Sequence, residues 1–141
     1  NIRIDFLIES MDLPKGIWRK LALLIFSFIF IYVGFDHFIN PEFYLKIMPP
    51  SFPFHLKAVL ISGFFEILGG VGILISRIRK FAAWGLAALI VAVYPANIYM
   101  ALSPESFPDY PLYLLYFRLV LQFGIFYWAY LITTPNFNPS R

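Results

Sequence analysis

The sequence predicts an all-α membrane protein: a four-transmembrane-helix bundle with an outer loop containing a short interfacial helix. Three observations predict it. Of the 141 residues, 60% are hydrophobic and only 13% charged, about half the charged share of a soluble globular domain. Four apolar stretches, at about 21–39, 58–75, 81–102 and 112–132, reach the roughly 18 residues that a spanning helix requires. They use more than half of the chain and leave little for a soluble domain. Finally, the basic residues fall mainly on one side of these stretches.

The elements follow in chain order. Residues 1–16 form a cytoplasmic or interfacial arm ahead of a transmembrane domain spanning 17–134. In the arm Ile2, Ile4, Phe6 and Ile8 alternate with Arg3, Asp5 and Glu9. That pattern fits a short interfacial strand or helix, an arm ordered on a partner, or a floppy terminus. Pro14 and Gly16 break the chain before Trp18, an interfacial residue type, and Arg19 and Lys20 can snorkel toward headgroups. The first span is too long for a signal-peptide core and ends in Asp36-His37-Phe38 with no small-residue cleavage site. Asn40-Pro41 ends it. The segment 42–48 is short and amphipathic, and Pro49, Pro50 and Pro53 stop any helix there. Residues 40–57 therefore read as a structured outer cap.

The second span carries Gly63, Gly69, Gly70 and Gly72, and the third carries a stripe of Gly85, Ala88, Ala92 and Ala96. Small residues let helices approach closely, so spans two and three are expected to pack tightly against each other, joined by a basic turn. Pro95 interrupts the third span. Residues 135–141 form a C-terminal tail.

Charge gives the orientation. Arg3, Lys15, Arg19 and Lys20 precede the first span, Arg77, Arg79 and Lys80 connect spans two and three, and Arg141 ends the chain. On the opposite side stand Lys46 and Lys57, while the loop 103–111 holds no basic residue. The positive-inside rule then places both termini in the cytoplasm. The net charge of +3 reflects this bias and carries no nucleic-acid signal. The absence of cysteine excludes disulfides, thiol chemistry, iron–sulfur clusters and c-type haem. With only His37 and His55, neither a metal site nor a bis-histidine haem is expected.

Two charges interrupt the apolar runs, Glu66 and Arg118. A charge at membrane depth costs roughly 2.5–3.5 kcal/mol on insertion scales and rarely persists without a partner or a role. At about 1.5 Å per residue, Asp36 and His37 lie a few Å from the outer end of their span, Asn97 about 8 Å, Arg118 about 9 Å and Glu66 about 12 Å. All fall in the outer half of the membrane. Gln122 shares a face with Arg118 at i, i+4 spacing, and Arg118 is expected to pair with Glu66 or Asp36. Tyr94 and Tyr99 lie at the same end and suit the wall of a pocket for a flat apolar molecule. The ligand candidates are thus Asp36, His37, Glu66, Asn97, Arg118, Gln122, Tyr94 and Tyr99. Three readings stay open: an internal salt bridge fixing helix register, a ligand pocket or active site, and a proton or ion path. The path is disfavoured, because almost nothing ionisable continues into the inner half.

At these residues the chain resembles the DoxX-like family of small four-span membrane proteins. The likeness runs through Gly34-Phe35-Asp36-His37-Phe38-Ile39-Asn40-Pro41, Met48-Pro49-Pro50, Ser62-Gly63-Phe64-Phe65-Glu66-Ile67-Leu68-Gly69-Gly70 and Pro95-Ala96-Asn97-Ile98-Tyr99-Met100-Ala101. It covers residues 18–133. The resemblance implies a four-helix bundle in the bacterial inner membrane, linked to respiratory or redox complexes. The expected function is an accessory or binding subunit. Its outer-leaflet pocket would hold a quinone or lipid-like molecule or grip a partner helix, and its partners would be membrane lipid, a quinone, other membrane subunits or a second copy. No resident cofactor is assigned. The alternatives are a quinone-linked membrane oxidoreductase acting by itself and a small transporter.

Overall fold

The computed structural model describes residues 3–5 and 11–139. The described residues build five α-helices: α1 (Ile17–Ile39), α2 (Pro41–Ile47), α3 (His55–Gly72), α4 (Arg79–Leu102) and α5 (Leu112–Thr133), with a short 3-10 turn at Pro104–Ser106. All but α2 are long and apolar enough to cross a membrane. The helical span of α3 begins and ends three residues earlier than hydropathy alone placed it. Of the N-terminal arm, residues 3–5 are helical and exposed. Most of the reading of residues 1–11, and the terminal Arg141, lie outside the described residues.

The helices run up and down as an antiparallel bundle. Helix α1 packs most extensively on α3, α4 on α5, and α3 on α4 joins the two pairs. Phe26 of α1 meets Trp128 of α5 edge-on at 5.1 Å, which closes the bundle. Large apolar side chains cover the outside: Trp18 is 80% exposed, Phe81 83% and Val120 68%. So continuous an apolar surface is untenable in water, and this is an integral membrane protein.

The small residues of span two divide between two partners. A methyl group on Gly63 would lie 2.6 Å from His37 Cβ and 2.8 Å from the Gly34 carbonyl oxygen, so the closest backbone approach joins α1 to α3. The buried Ser27 hydroxyl donates across the same interface to the Gly70 carbonyl at 2.7 Å. Gly69 and Gly72 face Leu86 and Ala82 of α4 instead. The expected stripe on α4 is not a packing face: Gly85 has open space around it, and Ala88 and Ala92 are exposed. The reason is that the α4 residues meeting the core are the larger Leu86 and Ile90, together with Ala83 and Ala87.

Two apolar clusters result. The larger lies toward the termini and joins Leu23, Phe26, Phe30, Ile73, Leu86 and Ile132 with Phe137 from the tail. Leu13 packs against it, and Pro14 is fully buried. The smaller cluster, at the opposite end, holds Ile47, Met100, Ala101, Phe107 and Leu115. The arm and the tail are thus folded onto the bundle near residues 13 and 137.

Arg79 clamps that end. Grouped by sequence with the basic residues connecting spans two and three, it is 0% exposed. Its Nε donates to the Ile73 carbonyl at 2.6 Å, Nη1 to Phe137 at 2.9 Å, and Nη2 to Asp12 at 2.8 Å and Leu74 at 3.3 Å. One guanidinium fork therefore satisfies carbonyls just beyond the C-terminus of α3, where a cation is also favoured by the helix dipole. It also ties down the arm and the tail. Asn138 serves α5 similarly, donating to Ile132 and Thr134 carbonyls at 2.7 and 2.9 Å.

Candidate functional site

Between the two apolar clusters lies a cavity of about 400 Å³. Four of the expected site residues reach it from four different helices: His37 from α1, Glu66 from α3, Asn97 from α4 and Arg118 from α5. The level estimated from helical rise is thus a shared site. Helix α2 and the Pro-rich loop roof it through Tyr44, Ile47, Pro49 and Phe52.

Arg118 does not pair with Glu66 or Asp36. Its Nε and Nη2 donate to Asn97 Oδ1 at 3.3 and 3.1 Å, and among the described residues no carboxylate lies within 4 Å of it. Asn97 in turn donates from Nδ2 to Gln122 Oε1, and Gln122 Nε2 donates to the Ile90 carbonyl at 3.1 Å. Helices α4 and α5 are the more intimate pair, so Arg118 finds its acceptor on its neighbour. Gln122 is buried behind Asn97 and orients its amide without facing the cavity. Pairing with a neutral amide leaves the guanidinium charge uncancelled, and a fork with five N–H donors has some still to offer.

On the opposite wall Glu66 is 6% exposed and His37 5%. Glu66 Oε2 stands 3.1 Å from His37 Nδ1. The Nδ1 proton, however, points to the Val33 carbonyl at 2.8 Å, one turn back on α1. Because a carbonyl only accepts, Nδ1 must carry the proton, and Glu66 Oε2 is left without a hydrogen bond. Ser62 Oγ, one turn before Glu66 on the same wall, is likewise buried and unpartnered. Buried polar atoms without partners are uncommon; two side by side mark the cavity as unfinished by the protein alone.

Asp36 stays out of the cavity. It accepts from Asn40 Nδ2 at 2.7 Å and from the Tyr44 hydroxyl at 2.7 Å, fastening α2 to the end of α1. The Tyr44 ring then stacks on His37 at 3.7 Å. Burial first, and next the bond to Asp36, raise the Tyr44 phenol above its ordinary pKa; the charges of Asp36 and Glu66 add to this, and Arg118 opposes it. Tyr44→Phe is expected to cost about 1 kcal/mol through the lost hydrogen bond and to loosen the roof. Faster hydrogen exchange at residues 41–48, with the rest of the bundle unchanged, is the check.

Tyr94 and Tyr99 do not line the cavity. Tyr94 packs edge-on against Phe123 at 5.7 Å and Tyr99 against Phe107 at 6.1 Å. Their positions on α4 turn them toward α5 and the 104–107 turn. The residues that sequence reasoning missed are Tyr44, which had no signal beyond its place in an amphipathic segment, and Ser62. The i, i+4 spacing of Ser62 and Glu66 was the available sign. Among the described residues, no three His, Asp or Glu side chains converge as a metal-ligand set.

The family model described as Domain of unknown function (DUF8561) matches residues 26–133, and the chain belongs to that family. The matched region contains His37, Glu66, Asn97 and Arg118. No curated protein and no solved structure matches the chain.

Proposed function

We propose that this DUF8561 protein is a membrane-embedded binding protein. Its cavity takes an amphiphilic molecule of the quinone or lipid type and holds the polar end among His37, Glu66, Asn97 and Arg118. One observation carries the reading: a cavity of ligand size coincides with buried polar groups that the protein leaves unpaired. Its volume of about 400 Å³ falls within the range of small-molecule sites, as does an apolar lining with a few convergent polar groups. The likeness to DoxX-like proteins supports an accessory role beside a respiratory or redox complex in the bacterial inner membrane. The basic residues near Lys15, Arg19 and Arg77 support a cytoplasmic position for both termini. The packed apolar cluster toward the termini counts against a continuous polar path.

The test is mild purification followed by solvent extraction and mass spectrometry. A stoichiometric apolar compound is expected from the native chain. Arg118→Ala should lower its retention about ten-fold or more, the value of a hydrogen bond to a charged group. Absence of any such compound, together with unchanged partner co-purification in Arg118→Ala, would overturn the proposal.

A further inference from the structure

We infer that the cavity selects an amphiphile whose head carries a hydroxyl group, and that this molecule enters sideways from the bilayer between α3 and α4. The inference rests on the binding role proposed above and narrows its ligand: the carbonyls of a quinone only accept, so it points to a lipid alcohol or to the hydroxyl-bearing quinol form.

The chemistry follows from what each wall lacks. Glu66 Oε2 and Ser62 Oγ are both buried with no hydrogen-bond partner. They stand one helical turn apart on α3, and both border the cavity. Across from them Arg118 offers donors only, and no carboxylate within 4 Å cancels its charge among the described residues. A hydroxyl both donates and accepts. It can give its proton to Glu66 Oε2 while its lone pairs accept from Ser62 or Arg118. An ether or ester oxygen only accepts, so it cannot supply a proton to Glu66 Oε2 or Ser62 Oγ as a hydroxyl can. A cationic head would meet the uncancelled guanidinium of Arg118.

The route follows from exposure. Besides Phe52 in the roof, 47% exposed, four residues of the cavity wall are exposed on the bundle surface: Ile61 at 56%, Phe65 at 50%, Ala92 and Pro95. They flank the gap between α3 and α4, where Ala92 leaves room. The aqueous side is roofed by α2, pinned by the Tyr44–Asp36 bond. An apolar tail thus has an opening to lipid at the depth where the polar head must arrive.

A lipid glycerol and an aromatic alcohol share this chemistry, so two matched pairs serve as probes: monoolein against methyl oleate, and 4-decylphenol against 4-decylanisole. The full chain, reconstituted in nanodiscs, is incubated with each and the retained molecule counted by mass spectrometry. The hydroxyl member of at least one pair should be retained about ten-fold better than its partner, the effect of one unmet buried acceptor. The pair showing it separates a lipid from an aromatic source. Glu66→Leu should erase the difference and Ser62→Ala reduce it. Should Glu66→Leu not fold, the native-chain comparison and Ser62→Ala still decide. Ala92→Trp, filling the gap from the lipid side, should lower retention of every probe without changing the thermal midpoint. Equal retention within both pairs would overturn the hydroxyl assignment while leaving an amphiphile site. No retention of any probe would overturn both that assignment and the binding role. Unchanged retention in Ala92→Trp would overturn the lateral entrance.

Discussion

Arg79→Ala is expected to destabilise the protein by at least about 3 kcal/mol, because it strips the donors from four main-chain carbonyls at a site closed to water. The carbonyls belong to Ile73, Leu74, Phe137 and Asp12. Hydrogen bonds to a charged group contribute about 1.5–3 kcal/mol each, and leaving a buried acceptor bare costs a similar amount. These losses do not add fully, since the arm and tail can move to find solvent. Arg79→Lys should fall in between, because an ammonium keeps the charge without the planar fork. Lys80→Ala, the exposed neighbour, should stay within about 0.5 kcal/mol of the native chain. Thermal unfolding in one detergent compares the three. If Arg79→Ala and Lys80→Ala unfold together, the clamp has no energetic weight. Proteolysis adds a spatial readout: loss of the clamp should free the chain near Asp12 and Phe137 first.

Gly63→Ala should produce the second large effect. The added methyl would sit 2.6 Å from His37 Cβ and 2.8 Å from the Gly34 carbonyl oxygen, and neither atom can swing aside as a side-chain tip could. Helices α1 and α3 must part, at a cost of about 1–3 kcal/mol for overpacking. That movement also carries His37 away from Glu66, so ligand retention should fall together with stability. Gly85→Ala is the control. Its position on α4 has open space, and replacing a helical glycine there should stabilise by about 0.5–1 kcal/mol. A Gly63→Ala protein as stable as the native chain would mean that α1 and α3 are not in close backbone contact.

The four spans were legible because bilayer thickness imposes a length and an apolarity that few other structures need. That Glu66, Asn97, Arg118 and His37 share a level along the bundle was legible too, since rise per residue is nearly constant along a helix. Their pairing was not. Arg118 and Glu66 share a level, but level says nothing about azimuth, and the guanidinium turns to Asn97 on the adjoining helix. Tyr94 and Tyr99 failed as pocket residues on the same ground. The right depth on α4 still allowed them to point at Phe123 and Phe107. The stripe of small residues misled for a related reason: it marks a face without naming the helix that meets it. Gly63 and Gly70 face α1, whereas Gly69 and Gly72 face α4.

By itself, the sequence determined that this protein has four membrane-crossing helices, capped by a folded loop, with polar groups at one level. Hydropathy and length suffice for that, being local properties read against a slab of known thickness. Only the tertiary structure decided which polar groups satisfy one another and which are left over. Arg79 reads as one more basic loop residue until the arm, α3 and the tail bring their carbonyls to it. Ser62 reads as an ordinary helix position, and Glu66 as one half of an ion pair with Arg118, until the surrounding helices leave Ser62 Oγ and Glu66 Oε2 without a hydrogen-bond partner. Satisfaction of a buried hydrogen bond depends on angle and azimuth across elements distant in the chain, and spacing along one helix does not carry that information.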